Sequence, residues 1–319
     1  MDVKDLFRGA LSLNTDEDGF IMPIRFTEKQ LARYSKLPNG AYAQAPAGVI
    51  MDLYTDASEI SFDYAVYKSW TTMYSDSAPT FDVWENHRLA ENLTISYSDE
   101  GNVHSVSYCC KNQGEKHITV VFPANAVLAV GNFKLGNFRP AERPRERVLV
   151  LGDSVSQGFM NNSASNNYPF LLCRFLGAEL LNQSVGGEYF CADALDETGF
   201  QPDRVIVALG TNDMVFVNNY AKTQEGIAEY FAKLRTLYGD KKITVITPTA
   251  LTDEDELPES KQLLLKISEC AAKTAYDYGC DVVNGRDLLP CTKRYYSDNL
   301  HPNDLGFAHY TLNLIKAIL

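Results

Sequence analysis

The chain has 319 residues, 45% hydrophobic and 22% charged, enough apolar material for roughly two soluble cores. Its 41 acidic and 29 basic residues give a formal net charge of −12, which argues against nucleic acid as a partner, because phosphate binding needs clustered Lys and Arg. The N-terminus shows no basic start followed by an apolar stretch, no apolar run is long enough to span a membrane, and the seven cysteines form no Cys-x-x-Cys pair, so a reduced, cytoplasmic protein with no membrane partner is expected.

In chain order, Ile60, Phe62, Tyr64 and Val66 alternate with Ser61, Asp63 and Ala65, which predicts a half-buried strand. Leu93, Ile95 and Tyr97 alternate with Thr94, Ser96 and Ser98. The turn residues Asp99-Glu100-Gly101-Asn102 follow, then residues 103–108, and together these predict a β-hairpin. Residues 118–122 and 127–130 extend the series, and short strands at this spacing predict an all-β sandwich. Trp70 and Trp84 are assigned to its core. His87, His104, His117 and His309 are expected to be structural or exposed, and no metal site is expected. Residues 137–147 are charged, carry two prolines and lack apolar periodicity. They read as an interdomain linker, dividing the chain into domains 1–141 and 142–319.

Beyond the linker, apolar strands at 148–151, 178–181, 204–209, 243–247 and 281–283 alternate with helical stretches at 168–175, 220–238, 260–278 and 303–318. That alternation predicts parallel strands with right-handed crossovers, hence a three-layer α/β domain. In the last helix Leu305, His309, Leu312 and Ile315 are spaced for one buried face. The acidic run 253–256 reads as a solvated loop and helix start.

Ligands of an open parallel sheet bind beyond the carboxyl ends of its strands. After the first strand comes Gly152-Asp153-Ser154, after the second Asn182 to Gly187, after the third Gly210-Thr211-Asn212-Asp213, and before the last helix Asp298-x-x-His301-Pro302. An isolated serine here would cap the next helix. With His301 as base and Asp298 as the group that orients it, Ser154 becomes a candidate nucleophile. The oxyanion formed on attack needs preorganised donors, and the N–H groups of Ser154 and Gly187 and the Asn212 amide are suitable. Asp153 and Asp213 are expected to hold loops through local hydrogen bonds. The absence of Gly-x-Ser-x-Gly argues against an α/β-hydrolase, and no phosphate-binding glycine loop is present.

On these four blocks, residues 147–319 resemble the SGNH hydrolase superfamily, the GDSL esterases. The resemblance implies a flavodoxin-like five-stranded sheet and a Ser154, Gly187, Asn212, His301 quartet with Asp298 completing a triad. It prefers Gly187 over Gly186, because the family's second block ends on the second glycine. Residues 47–56 and 81–86 resemble the jelly-roll-like β-sandwich that precedes this domain in some carbohydrate esterases. The expected protein is therefore a cofactor-independent serine esterase releasing small acyl groups, acetyl above all, from carbohydrate or oligosaccharide esters. A lysophospholipase or thioesterase is the alternative of the same chemistry. A catalytically inactive carbohydrate-binding protein is the alternative of another class.

Overall fold

Alternating side chains in the first 140 residues build two antiparallel sheets. The computed structural model describes residues 2–70, 79–97 and 100–319. One sheet runs β1 (Phe7–Arg8), β4 (Ile50–Thr55), β9 (Lys116–Val121), β6 (Thr80–Glu85), β7 (Arg88–Thr94), with β11 (Phe138–Pro140) paired to β4. The other runs β2 (Ser12–Thr15), β3 (Ile21–Ile24), β10 (Ala126–Lys134), β5 (Glu59–Ser69), β8 (Val103–Cys109). Ile60, Phe62, Tyr64 and Val66 of β5 meet Leu53, Phe81, Val83 and Val120 of the facing sheet in one core, where Phe62 and Phe81 cross edge-to-face at 5.0 Å. This is the expected sandwich.

The expected hairpin does not form. β7 pairs with β6 and β8 pairs with β5, so the chain between them crosses from one sheet to the other. Ser98 and Asp99 of that connection lie outside the described residues; Gly101 takes φ +82°. Leu93, Ile95, Val106 and Tyr108 all enter the shared core. Burial in a core between two sheets places each strand, and the turn residues do not distinguish an arch from a hairpin. The tryptophans also depart from expectation, since neither lies among the buried residues of the sandwich core. Trp70 packs on Tyr42 (4.6 Å) and Phe159 (6.4 Å), and Trp84 on Phe170 (5.9 Å), so both cement the junction with the second half. The stretch expected to be a linker is tied down as well. Residues 138–140 form β11, Arg143 pairs with Glu179 at 2.8 Å, and Arg204 with Glu146 at 3.1 Å.

The second half is a parallel sheet of β12 (Arg147–Gly152), β13 (Glu179–Asn182), β14 (Arg204–Ala208), β15 (Lys242–Ile246) and β16 (Asp281–Val283). Its order, β13-β12-β14-β15-β16, is the flavodoxin-like 2-1-3-4-5 order. The first half contributes one short helix, α1 (Glu28–Tyr34); the helices of the second half are the short α2 (Ser154–Gln157), α3 (Tyr168–Leu176), α4 (Tyr220–Tyr238), α5 (Pro258–Asp277) and α6 (Asp304–Ile318). Successive strand residues point to opposite faces. Leu149, Leu151, Val205 and Val207 pack with α4 and α5, while Val148, Val150 and Ile206 pack with α3 and α6. No helix among the described residues is long and apolar enough to cross a membrane.

Two local expectations in this half are corrected. Helix α6 buries Phe307, Tyr310, Leu314 and Ile318, whereas Leu305 and Leu312 are 40% and 58% exposed. The helix has apolar residues on two faces, and the face that wins is the one whose Tyr310 ring meets Tyr168 at 4.7 Å. Leu314→Ala is expected to cost about 2–5 kcal/mol in urea unfolding and Leu312→Ala no more than about 0.5 kcal/mol. Within the acidic run, Glu254 is buried and bidentate to Arg286 (2.9 and 2.5 Å); that hydrogen-bonded pairing holds its carboxyl below the ordinary range.

Candidate active site

The fold brings three of the predicted residues, Ser154, His301 and Asp298, into hydrogen-bonding contact. β12 ends at Gly152, and the Asp153 side chain caps the short helix that follows, accepting from the Val155 N–H at 3.0 Å. Ser154 is thereby the first residue of α2, a position whose N–H has no intrahelical acceptor. His301 lies in the bend before α6, where the Ser297 N–H donates to the His301 carbonyl (2.9 Å) and Asn303 caps the helix by accepting from the Gly306 N–H (3.0 Å). The imidazole Nε2 is 2.8 Å from Ser154 Oγ, and its Nδ1 is 2.8 Å from Asp298 Oδ2. Asp298 Oδ1 also accepts from the N–H groups of Leu300 (2.7 Å) and His301 (2.6 Å). Burial alone would raise the Asp298 carboxyl. The hydrogen bonds and charge it shares with His301 outweigh that and hold it at about 2. Both Ser154 and His301 are buried, at 6% and 8% exposure, so their hydrogen bond is shielded from water.

The loop after β13 offers two candidate donors of different kind. The Gly186 N–H donates to Gln157 Oε1 at 2.8 Å. The Gly187 N–H, like that of Ser154, has no protein acceptor among the described residues. Gly187 adopts φ +84°, the left-handed region in which glycine pays no steric penalty. Asn212, beyond β14, donates one amide hydrogen to the Glu188 carbonyl at 3.0 Å and keeps the second free of that bond.

The GDSL-like lipase/acylhydrolase family matches residues 150–309, which spans Ser154, Gly187, Asn212, Asp298 and His301. The chain belongs to this family. It is accordingly an SGNH-type carboxylic ester hydrolase. No curated protein sequence matches it. Among solved structures it is similar to the salicylyl-acyltransferase SsfX3 from a tetracycline biosynthetic pathway (TM-score 0.78, 17% identity, covering 98% of this chain and 93% of that one). It is also similar to a family two carbohydrate esterase from Cellvibrio japonicus (TM-score 0.68, 15% identity, 98% and 94%). A third is a family two carbohydrate esterase with a carbohydrate-binding domain from Myceliophthora fergusii (TM-score 0.64, 16% identity, 85% and 93%). At such identities the likeness shows the fold, and the two-part architecture is common to this GDSL-like hydrolase and those enzymes.

What the sequence reading missed is how residues 25–45 wrap the loop after β13. Arg25, 1% exposed, donates to the carbonyls of Ala45 (2.6 Å), Tyr42 (3.2 Å), Ser184 (3.2 Å) and Asn182. Burial, with no carboxylate partner among the described residues, lowers the guanidinium to about 9. Glu188 is held by both Arg33 nitrogens (2.6 and 2.8 Å) and by the Tyr34 hydroxyl (2.7 Å). One signal was legible: Thr27 and Gln30 form a capping box that starts α1, and Gln30 then reaches Gln183.

Asp213 stands behind the site, its Oδ2 accepting from the Phe190 N–H (3.2 Å) and its Oδ1 buried without a partner among the described residues. Burial, with help from the Glu188 and Asp153 charges, pushes its carboxyl up to about 7. A carboxyl with a raised folded pKa costs stability once it ionises, so the cost is present above about pH 7 and fades as pH falls toward its ordinary value of about 4. Asp213→Asn is therefore expected to raise the melting temperature clearly at about pH 8 and by a smaller amount, about a third as much, at about pH 5. Equal shifts at both values would contradict the assignment.

Proposed function

We propose that this hydrolase removes small O-acyl groups, acetyl first, from carbohydrate or oligosaccharide esters through an acyl-enzyme on Ser154. The single observation that carries the mechanism is the continuous line Asp298–His301–Ser154, with hydrogen bonds of 2.8 and 2.8 Å. His301 takes the hydroxyl proton as Ser154 Oγ bonds to the ester carbon. The carbonyl oxygen becomes an oxyanion facing the N–H groups of Ser154 and Gly187 and the free amide hydrogen of Asn212. Collapse breaks the bond to the alcohol oxygen, which receives the proton from His301. Water, deprotonated by the same imidazole, then attacks the acyl-enzyme and releases the acid. Asp298, ionised, keeps the proton-bearing Nδ1 turned toward itself and stabilises the imidazolium that forms. Every step is a proton or acyl transfer, so the reaction calls for no cofactor.

The carbohydrate half of the reading rests on the sandwich that precedes the hydrolase fold, an arrangement also found in the family two carbohydrate esterases. We place the boundary between the two domains at 141/142 and the protein in the cytoplasm, the latter from its seven unpaired cysteines. On p-nitrophenyl esters of increasing chain length, the acetate is expected to turn over fastest, and acetylated oligosaccharides are expected to release acetate.

A second reading, a lysophospholipase or thioesterase acting on longer acyl chains, is favoured by one feature. Val215 and Phe216, just past Asn212, are 53% and 62% exposed, and the Phe216 ring comes within 3.4 Å of where a side chain on Gly187 would begin. Best activity on long chains would replace the acetylesterase reading. Tight binding of acetylated oligosaccharides with no turnover would replace both by a binding protein.

A further inference from the structure

Asn39 precedes the 3-10 turn Gly40–Gln44 in the segment that wraps the loop after β13. An asparagine at such a position ordinarily caps its own turn, yet the Asn39 side chain makes no capping bond. It reaches across instead, and its Nδ2 donates to the carbonyl of Gly186. That carbonyl and the N–H of Gly187 are the two ends of one peptide unit, which is planar. We propose that Asn39 is a positioning residue for the oxyanion site: by holding the Gly186 carbonyl it fixes the plane of this peptide and aims the Gly187 N–H at the reacting oxygen. The inference rests on the reading of Gly187 as an oxyanion donor.

Three observations support it. First, the peptide lies between two glycines, where the backbone is least restrained by its own side chains and the N–H direction depends on outside contacts. Second, the restraint comes from both sides. The Gly186 N–H is held by Gln157, whose own amide nitrogen donates to the carbonyls of Tyr42 (2.9 Å) and Ala124 (3.1 Å). Asn39 and Gln157 thus tie the loop to the sandwich half, through residues 39–42 and 124. Third, the fit is tight. A Cβ on Gly187 would come within 2.5 Å of Asn39 Nδ2, so the two residues meet only because position 187 is glycine. A hydrogen bond at the carbonyl end also polarises the N–H at the other end of the same peptide and makes it a better donor to an oxyanion. Donors contribute to turnover when they are aimed in advance at the charge that develops.

The test measures kcat and KM on p-nitrophenyl acetate for Asn39→Ala, Asn39→Asp and Asn39→Gln, with melting temperature for each. Asn39→Ala is expected to lower kcat by about tenfold to a hundredfold with KM within about twofold. Asn39→Asp keeps the shape but sets a carboxylate oxygen against the Gly186 carbonyl, and is expected to lose more than the alanine variant. Asn39→Gln, which keeps an amide donor, is expected to recover part of kcat. Inhibition by phenylboronic acid, which forms a tetrahedral adduct with a serine nucleophile, is expected to weaken in proportion to kcat. A kcat within twofold of the native value for both Asn39→Ala and Asn39→Asp overturns the proposal, as does a loss that appears in KM alone. A loss of kcat in Asn39→Asp no larger than its loss of folded protein overturns it too. Asn212→Ala, measured alongside, separates the two ideas. If it slows turnover and the Asn39 variants do not, the positioning role fails alone; if it too leaves turnover intact, the oxyanion reading itself fails.

Discussion

Ser154→Ala is expected to hydrolyse p-nitrophenyl acetate at no more than about 10⁻⁴ of the native turnover while melting at nearly the native temperature. The next serine along the chain, Ser156, is no ready substitute: its Oγ is buried and bonded to the Tyr168 hydroxyl at 2.6 Å. His301→Ala is expected to lose about as much, because the imidazole that would receive the Ser154 proton is the one 2.8 Å from it. In the proposed mechanism Ser154 and His301 act as a unit, so the double variant is expected to be no slower than either single one. An additive loss in the double variant would mean that the two residues contribute independently and that the nucleophile lies elsewhere.

The second large effect is at Asn212. Asn212→Ala is expected to lower kcat by about 10²–10³, with a smaller change in KM, because a donor aimed at the oxyanion matters most in the transition state. Its bond to the Glu188 carbonyl is lost as well, and a buried hydrogen bond contributes about 0.5–1.5 kcal/mol net. A modest fall in melting temperature is thus compatible with the catalytic role. A large fall with normal kcat in the folded fraction would make Asn212 a structural residue.

The parts of this molecule that were legible in the sequence are those fixed by local pattern. The five parallel strands are short apolar runs, and each is followed by the glycine or polar residue that the chain needs at a strand end; β12 and Gly152-Asp153-Ser154 are one instance. Helix α4 is bounded by the Asn219 cap, whose side chain accepts from the Lys222 N–H, and by Gly239. What local pattern could not decide was choice between equivalent partners. Leu305 and Leu312 on one face of α6 and Phe307 and Leu314 on another are both helically spaced, and only the strand and helix surfaces they meet select between them. In the same way, Leu93 and Val106 look like opposite sides of a hairpin until two separate sheets claim them. The wrapping of the site by residues 25–45 was hidden for a related reason. No local pattern singles out Arg25, Arg33 or Asn39, and their meaning arises from contacts with Asn182, Ser184, Gly186 and Glu188, more than a hundred positions away. Of the site itself, the sequence pointed to the serine, the imidazole and its carboxylate, and to Gly187 and Asn212 as candidate donors. It could not indicate that the neighbouring half of the chain holds the loop carrying Gly187.

The central claim is that Ser154 carries the acyl group. The most direct measurement mixes the protein with p-nitrophenyl acetate, quenches it in acid during the steady state and maps the peptides by mass spectrometry. One acetyl group on the peptide containing Ser154, absent from Ser154→Ala and accumulating when deacylation is slowed, is the predicted result. Steady turnover with no acetyl on that peptide, or an acetyl group of equal occupancy elsewhere in Ser154→Ala, would contradict it.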